Sequence, residues 1–180
     1  ATVVAEPRRG YGSACLAALR WCAEQPNAPR VVVFVDGDGA DDPGEIPDLI
    51  APIEVGRADL VIGSRARGER EPGALLPQAR FGNWIACAWI RLVTGVRFTD
   101  LGPFRAITWS ALERIAMTDP NYGWTVEMQL KAARAGLRCH EVPVRYRRRR
   151  GGASKVTGTV RGVVLASAKI LWSLARYSRW

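Results

Sequence analysis

Histidine is almost missing from this chain of 180 residues: His140 stands alone. The four cysteines (Cys15, Cys22, Cys87 and Cys139) are scattered, with no Cys-x-x-Cys among them. That disfavours structural zinc and suits a reducing cytosol. No uncharged apolar run reaches the length of a membrane span and no secretory signal opens the sequence, so a cytoplasmic location is expected. No Gly-x-Gly-x-x-Gly opens a helix, which removes the dinucleotide-binding fingerprint. An EF-hand fails too, because Pro47 stands where the bidentate glutamate of its loop belongs.

What is present is a globular composition, 48% hydrophobic, long enough for one domain with a real core. The net charge of +9 points to an anionic partner: nucleic acid, a phosphorylated substrate or a membrane surface.

The densest chemistry lies in Val31–Pro43. Val31 to Val35 read as a strand buried on both faces, the habit of a central parallel strand. It runs into Asp36, Asp38, Asp41 and Asp42, with Gly37 and Gly39 between. Residues two apart in an extended chain point the same way, so Asp36 and Asp38 can face one point. Carboxylates that close repel each other unless a cation or proton lies between them. Hard divalent cations take carboxylate oxygens, and open α/β sheets bind ligands at the carboxyl ends of their strands. Asp36 and Asp38 are therefore the candidate metal-nucleotide pair. Asp41 and Asp42 read mostly as a strand-to-helix turn, with Asp42 capping a helix that begins at Pro43.

Along the rest of the chain, Ala1–Ala5 reads as a strand. A helix is expected over Ser13–Glu24, with Ser13 as its N-cap, and the preceding glycines and arginines are either a phosphate site or a simple turn. Pro43–Ile53 reads as a short helix and Ala58–Gly63 as a second buried strand. This strand–helix–strand unit implies parallel neighbours joined by a right-handed crossover. Arg65 then emerges on the same rim as Asp36 and Asp38, either to pair with carboxylates or to bind a diphosphate. Gly68–Pro77 reads as a loop, Phe81–Val93 as a helix. Asp100 is a candidate base or a turn carboxylate. Glu127, in the first turn of a helix that Gly136 closes, is another candidate base or simply a dipole partner.

From Glu141 to Arg150 the pattern alternates, with Val142, Val144 and Tyr146 on one face and Arg145, Arg147 and Arg149 on the other. The arginine row leads into Gly151-Gly-Ala-Ser154-Lys155, a basic loop suited to oxyanions, though solvated charge explains such rows as well. Thr159–Trp180 fits a helix with one apolar arc and one basic side bearing Trp172 and Trp180, suited to a membrane interface or to core packing.

Five segments occur in one order: Asp36-Gly-Asp-Gly-Ala-Asp-Asp-Pro, Ala58-Asp-Leu-Val-Ile-Gly-Ser-Arg65, Thr99-Asp-Leu-Gly-Pro-Phe-Arg-Ala, Trp124-x-x-Glu-Met-Gln, and Glu141-Val-Pro-Val-x-Tyr with Gly152-Ala-Ser-Lys155. Together they resemble the family 2 glycosyltransferases of GT-A fold, in particular the dolichol-phosphate mannosyltransferase and polyprenyl-phosphate glycosyltransferase branch. The resemblance implies an α/β fold with a mostly parallel sheet flanked by helices, here lacking the family's first strand region. It implies an inverting hexosyltransferase that uses Mg2+ or Mn2+, held by Asp36 and Asp38. The catalytic candidates are Asp38, Asp100 and Glu127; Arg65, Arg147, Arg149, Ser154 and Lys155 would bind substrate. The implied partners are a nucleotide-diphosphate sugar, a lipid-phosphate acceptor and the cytoplasmic face of a membrane, reached through Phe81–Val93 and Thr159–Trp180. Residues 1–156 would form the catalytic domain and 157–180 an amphipathic segment. Ala40 departs from the pattern, standing where relatives often carry a glutamine. Met128 follows Glu127 where hydroxyl-directed inverting relatives often place an Asp, which leans toward a phosphate acceptor. The rival readings are a basic nucleic-acid-binding domain, which the carboxylate cluster opposes, and a degenerate relative that only binds partners.

Overall fold

The computed structural model describes residues 1–149 and 170–178. Helix α1 (Tyr11–Ala23) precedes strand β1 (Val31–Phe34); a short 3-10 turn (Pro43–Glu45) leads into α2 (Ile46–Glu54) and then β2 (Leu60–Ser64). After α3 (Pro77–Thr94) come β3 (Arg105–Thr108), α4 (Trp109–Ile115), α5 (Trp124–Arg134) and β4 (Cys139–Pro143). The described strands form one sheet in the order β1-β3-β2-β4. β3 is antiparallel to both of its neighbours, while β2 and β4 are parallel.

This order corrects two expectations. β1 and β2 run the same way, as a strand–helix–strand unit requires, but β3 lies between them. Among the described residues β1 pairs only with β3, so it is an edge strand; Val31 to Val33 are half-buried and only Phe34 is buried. β2 is the strand that meets the buried pattern, with every residue covered.

The sheet separates two apolar layers by the two-residue period of its strands. Leu60, Ile62 and Ile107 face a large cluster with Ile90 of α3, Leu112 and Ile115 of α4, and Trp124 and Met128 of α5. Val61 and Ala106 face the other way, onto Leu49 of α2 together with Phe104 and Val144. Residues 170–177 are helical, and Leu174 and Tyr177 are buried in the large cluster. A fully buried leucine or isoleucine is worth roughly 2 kcal/mol in such layers.

Other boundaries shift for local reasons. Ala1–Ala5 forms no strand; Val3 is almost fully exposed. α1 begins two residues before Ser13, which is buried inside it and donates its backbone N–H to the Pro120 carbonyl at 2.9 Å. A side chain at Gly12 would collide with the Asp119 carbonyl, so this helix start is closed by protein and offers no phosphate cradle. α3 starts a turn earlier than its apolar pattern, at Pro77, whose missing N–H costs nothing there. Gly136 does close α5 in a left-handed conformation. β4 ends at Pro143, and residues 144–149 leave the sheet as a strap lying over the loop after β1.

Candidate active site

The rim at the end of β1 is built by its own loop. Asp38 Oδ1 accepts the Ala40 N–H at 2.9 Å, a tight turn that needs Gly39 at φ 74°. Nothing lies within contact of the space a side chain at Gly37 would fill, so the loop is open there. Burial and then the neighbouring Asp38 raise the Asp36 carboxyl above its ordinary range, while Arg149 and Arg65 pull it back. A pair in which each carboxylate opposes the other's charge is what a divalent cation relieves, so these residues fit the metal. Among the described residues no third Asp, Glu, His or Cys joins them as a ligand group. The rest of a cation's shell would have to come from a bound ligand and water.

Asp42 behaves as expected of a cap, accepting the Gly44 N–H at 3.0 Å. Asp41 does not. Its carboxylate is buried, and neither oxygen has a hydrogen-bond partner among the described residues. Burial, opposed by Arg65, pushes it up to about 7. The sequence grouped it with Asp42 in one turn and gave no sign of its burial.

Arg65 leaves the end of β2 and pairs with a carboxylate, one of the two roles open to it at the sequence level. Its backbone N–H and Nε donate to Asp100 Oδ2 at 2.7 and 2.8 Å, and Nη2 donates to Oδ1 at 2.7 Å. The outer side of the guanidinium lies over Tyr146, 5.0 Å from the ring centre. Asp100, first considered as a base, is buried with both oxygens given to Arg65, and so orients that arginine. The turn carrying Asp100 is fixed from several sides. Glu141 accepts from the backbone of Thr99 and Asp100, Asn83 grips Thr99 and Leu101, and the buried Arg105 donates to the carbonyls of Leu101 and Gly102. Glu141, Asn83 and Arg105 had no role assigned from the sequence, although the first and last stand inside quoted motifs.

Glu127, the other candidate base, is likewise engaged with protein. It is fully buried in α5, accepting from Thr118 N at 2.9 Å, Thr118 Oγ1 at 2.7 Å and Asp119 N at 2.7 Å, and pairing with Lys131 at 2.8 Å. It organises the 118–119 loop.

The arginine row expected to meet phosphate meets carboxylates. Arg145 pairs with Glu45 at 3.1 Å, Arg147 with Asp42 at 2.8 Å and Arg149 with Asp38 at 2.9 Å. Of these, Arg149 alone reaches the Asp36–Asp38 pair. Ser154, Lys155 and most of Thr159–Trp180 lie outside the described residues. Beside the Arg65–Asp100 pair, between α3 and the Thr99–Asp100 turn, is a cavity of about 330 Å³. Leu75, Trp84 and Phe98 give it an apolar wall, and Arg70 and Arg80 give it positive charge.

Comparison with known proteins adds four findings. Residues 1–116 match the family model described as Glycosyl transferase family 2. An uncharacterized glycosyltransferase of Mycobacterium tuberculosis is 39% identical over 170 residues, covering 92% of this chain and 72% of the relative. The undecaprenyl-phosphate mannosyltransferase of Micrococcus luteus is 34% identical over 179 residues, 95% of this chain and 69% of that protein. Among solved structures, glucosyl-3-phosphoglycerate synthase from Mycobacterium tuberculosis, in complex with Mn2+, UDP-glucose and phosphoglyceric acid, matches with a TM-score of 0.69 at 20% identity. That match covers 95% of this chain and 55% of the other, so the chain spans little more than half of that enzyme.

Proposed function

Because the chain belongs to glycosyl transferase family 2 and has its GT-A fold, we propose that it moves a hexose from a nucleotide-diphosphate sugar to the phosphate of a polyprenyl lipid. One observation carries the choice of acceptor. Asp100 and Glu127, the two carboxylates considered as bases, are both consumed in holding the protein together. A hydroxyl acceptor needs a base to take its proton as it attacks. A phosphate monoester is already anionic near neutral pH and needs none. The name of the Micrococcus relative points to the same acceptor class.

Asp36 and Asp38 would hold Mg2+ or Mn2+, and Mn2+ accompanies the donor in the structural neighbour. When bound, the cation neutralises charge on the departing diphosphate. Arg65, with its fork fixed by Asp100, presents a rigid positive group on the same rim and needs no rearrangement as charge develops. Arg149 is the further donor ligand, and Ser154 and Lys155 complete the expected set. The cavity lined by Arg70, Arg80, Leu75 and Trp84 pairs cations with an apolar wall, the chemistry of a lipid phosphate.

Such an acceptor resides in a membrane. No described helix is long and apolar enough to cross one, so the reading is peripheral attachment on the cytoplasmic face. α3 exposes Phe81, Trp84 and Leu92, with the first two rings stacked 6.0 Å apart, and residues 170–177 expose Leu171 and Trp172. Residues 1–156 are the catalytic part of this reading and 157–180 its amphipathic attachment.

The test is transfer of labelled sugar from a nucleotide donor with Mn2+, offered polyprenyl phosphate or the matching polyprenol. Label should pass to the phosphate only. Comparable transfer to the free alcohol would refute the acceptor.

A further inference from the structure

The strap after β4 is zipped to the acidic loop after β1. Its arginines take carboxylates in reverse order, Arg145 on Glu45, Arg147 on Asp42 and Arg149 on Asp38. Backbone contacts hold the same register: Arg147 N–H donates to the Ala40 carbonyl at 2.9 Å, and Tyr146 forms an antiparallel bridge with Asp41. The alternation that turns these three arginines toward the loop turns Tyr146 inward, under Arg65. Arg148, the fourth arginine, points elsewhere, donating through Nε to the Pro72 carbonyl at 2.7 Å.

The last rung lands on the candidate metal pair. Arg149 Nε lies 2.9 Å from Asp38 Oδ2, and the same guanidinium favours the ionised form of Asp36. It therefore acts on both carboxylates a divalent cation would use. The arginine is 43% exposed and its partner 15%. An ion pair this open to water is weak, so a divalent cation can displace it. The two earlier rungs keep the strap docked, so the guanidinium stays near after it lets go.

We propose that Arg149 is the built-in counter-cation of the Asp36–Asp38 pair, and that a divalent metal enters by displacing its guanidinium from Asp38. This rests on the reading of Asp36 and Asp38 as metal ligands. The consequence is competition: the metal-free protein holds its own positive charge in the site, and metal affinity is set below what the two carboxylates alone would give.

The experiment is titration with Mn2+ alone, followed by the electron spin resonance signal of free Mn2+, on the wild type, Arg149→Gln, Arg148→Gln and Asp38→Asn, each checked for folding by circular dichroism. Arg149→Gln should bind Mn2+ about threefold to fivefold more tightly than wild type, the strength of a partly exposed ion pair. Arg148→Gln removes the same charge one residue away and should leave the affinity unchanged. Asp38→Asn should lose most Mn2+ binding. Unchanged or weaker binding in Arg149→Gln, with Asp38→Asn still defective, overturns the counter-cation while sparing the metal reading. An equal gain in both arginine variants overturns it as well, since the effect is then only net charge. Mn2+ binding that ignores Asp38→Asn, or no saturable binding in any variant, overturns the metal reading and the counter-cation with it.

Discussion

Arg65 holds Asp100 by three hydrogen bonds, from its own backbone N–H, its Nε and its Nη2. Lysine can supply neither the fork nor the rigid plane. Arg65→Lys should weaken donor binding about tenfold or more, in keeping with the loss of charge-assisted hydrogen bonds. Asp100→Asn should cost about 3 kcal/mol of stability, as breaking a buried pair does. Urea unfolding and isothermal titration with the sugar nucleotide would measure both. Full donor affinity in Asp100→Asn would show that the carboxylate does not position Arg65.

Asp36→Asn and Asp38→Asn should each abolish Mn2+-dependent nucleotide binding while leaving the fold intact. Asp42→Asn should leave binding in place, because asparagine still caps the turn at Pro43 and only the pair with Arg147 weakens. Circular dichroism and a nucleotide titration with and without EDTA distinguish these cases. A defect confined to Asp42 would reverse the assignment.

Asp41 makes stability depend on pH in a definite direction. Its carboxyl rises from 3.8 in the open chain to about 7 in the fold. Between those values the folded protein holds a proton that the unfolded chain has released, so stability falls as pH rises and levels off above about 7. The size of the effect is a few kcal/mol. Asp41→Asn should remove this slope and be the more stable protein at pH 8, with little difference at pH 4. Urea unfolding of both proteins in EDTA across that range is the measurement, and parallel curves would count against a buried acid.

Much of this was legible in the sequence, for reasons that can be located. The apolar runs ahead of Asp36 and of Ser64 announce strands ending on one rim, and the spacing of Asp36 and Asp38 announces a shared direction. An apolar strand after the Thr99–Asp100 turn was legible, but its place between β1 and β2 was not, because its pairing with β1 joins segments some seventy residues apart. The alternation of Arg145, Arg147 and Arg149 could be read, but their partners could not, since Glu45, Asp42 and Asp38 lie about a hundred residues upstream. Asp41 and Asp42 look alike in sequence and part company only when the strap covers one of them.

Glu127 offers a clean separation of stability from chemistry. Glu127→Gln removes the charge of a buried carboxylate paired with Lys131 and loosens the 118–119 loop, at a cost of about 3 kcal/mol or more. The melting temperature should drop by many degrees, while the turnover of protein still folded at low temperature should stay near that of wild type. A loss of kcat with an unchanged melting temperature would restore Glu127 as a base.

Attachment to membranes is tested by flotation with vesicles containing anionic phospholipid. Binding should increase with the anionic fraction and decrease with salt, each nearby Lys or Arg contributing about 1 kcal/mol. Trp84→Ala and Leu171→Glu should weaken it without unfolding, since both side chains are exposed. If folded wild-type protein stays in the soluble fraction whatever the lipid, the exposed rings of α3 serve another purpose.

The position of β3 has a last consequence, for the width of the cleft. Strands lie about 4.8 Å apart, so placing β3 between β1 and β2 sets the ends of those two strands about 10 Å apart. As direct neighbours, the aspartates after β1 and the arginine after β2 could pair directly. With a strand between them Arg65 still acts on Asp36 and Asp41 by its charge, while the segment entering β3 brings Asp100 to take its fork. The antiparallel strand is thus a spacer that keeps the ends of β1 and β2 apart.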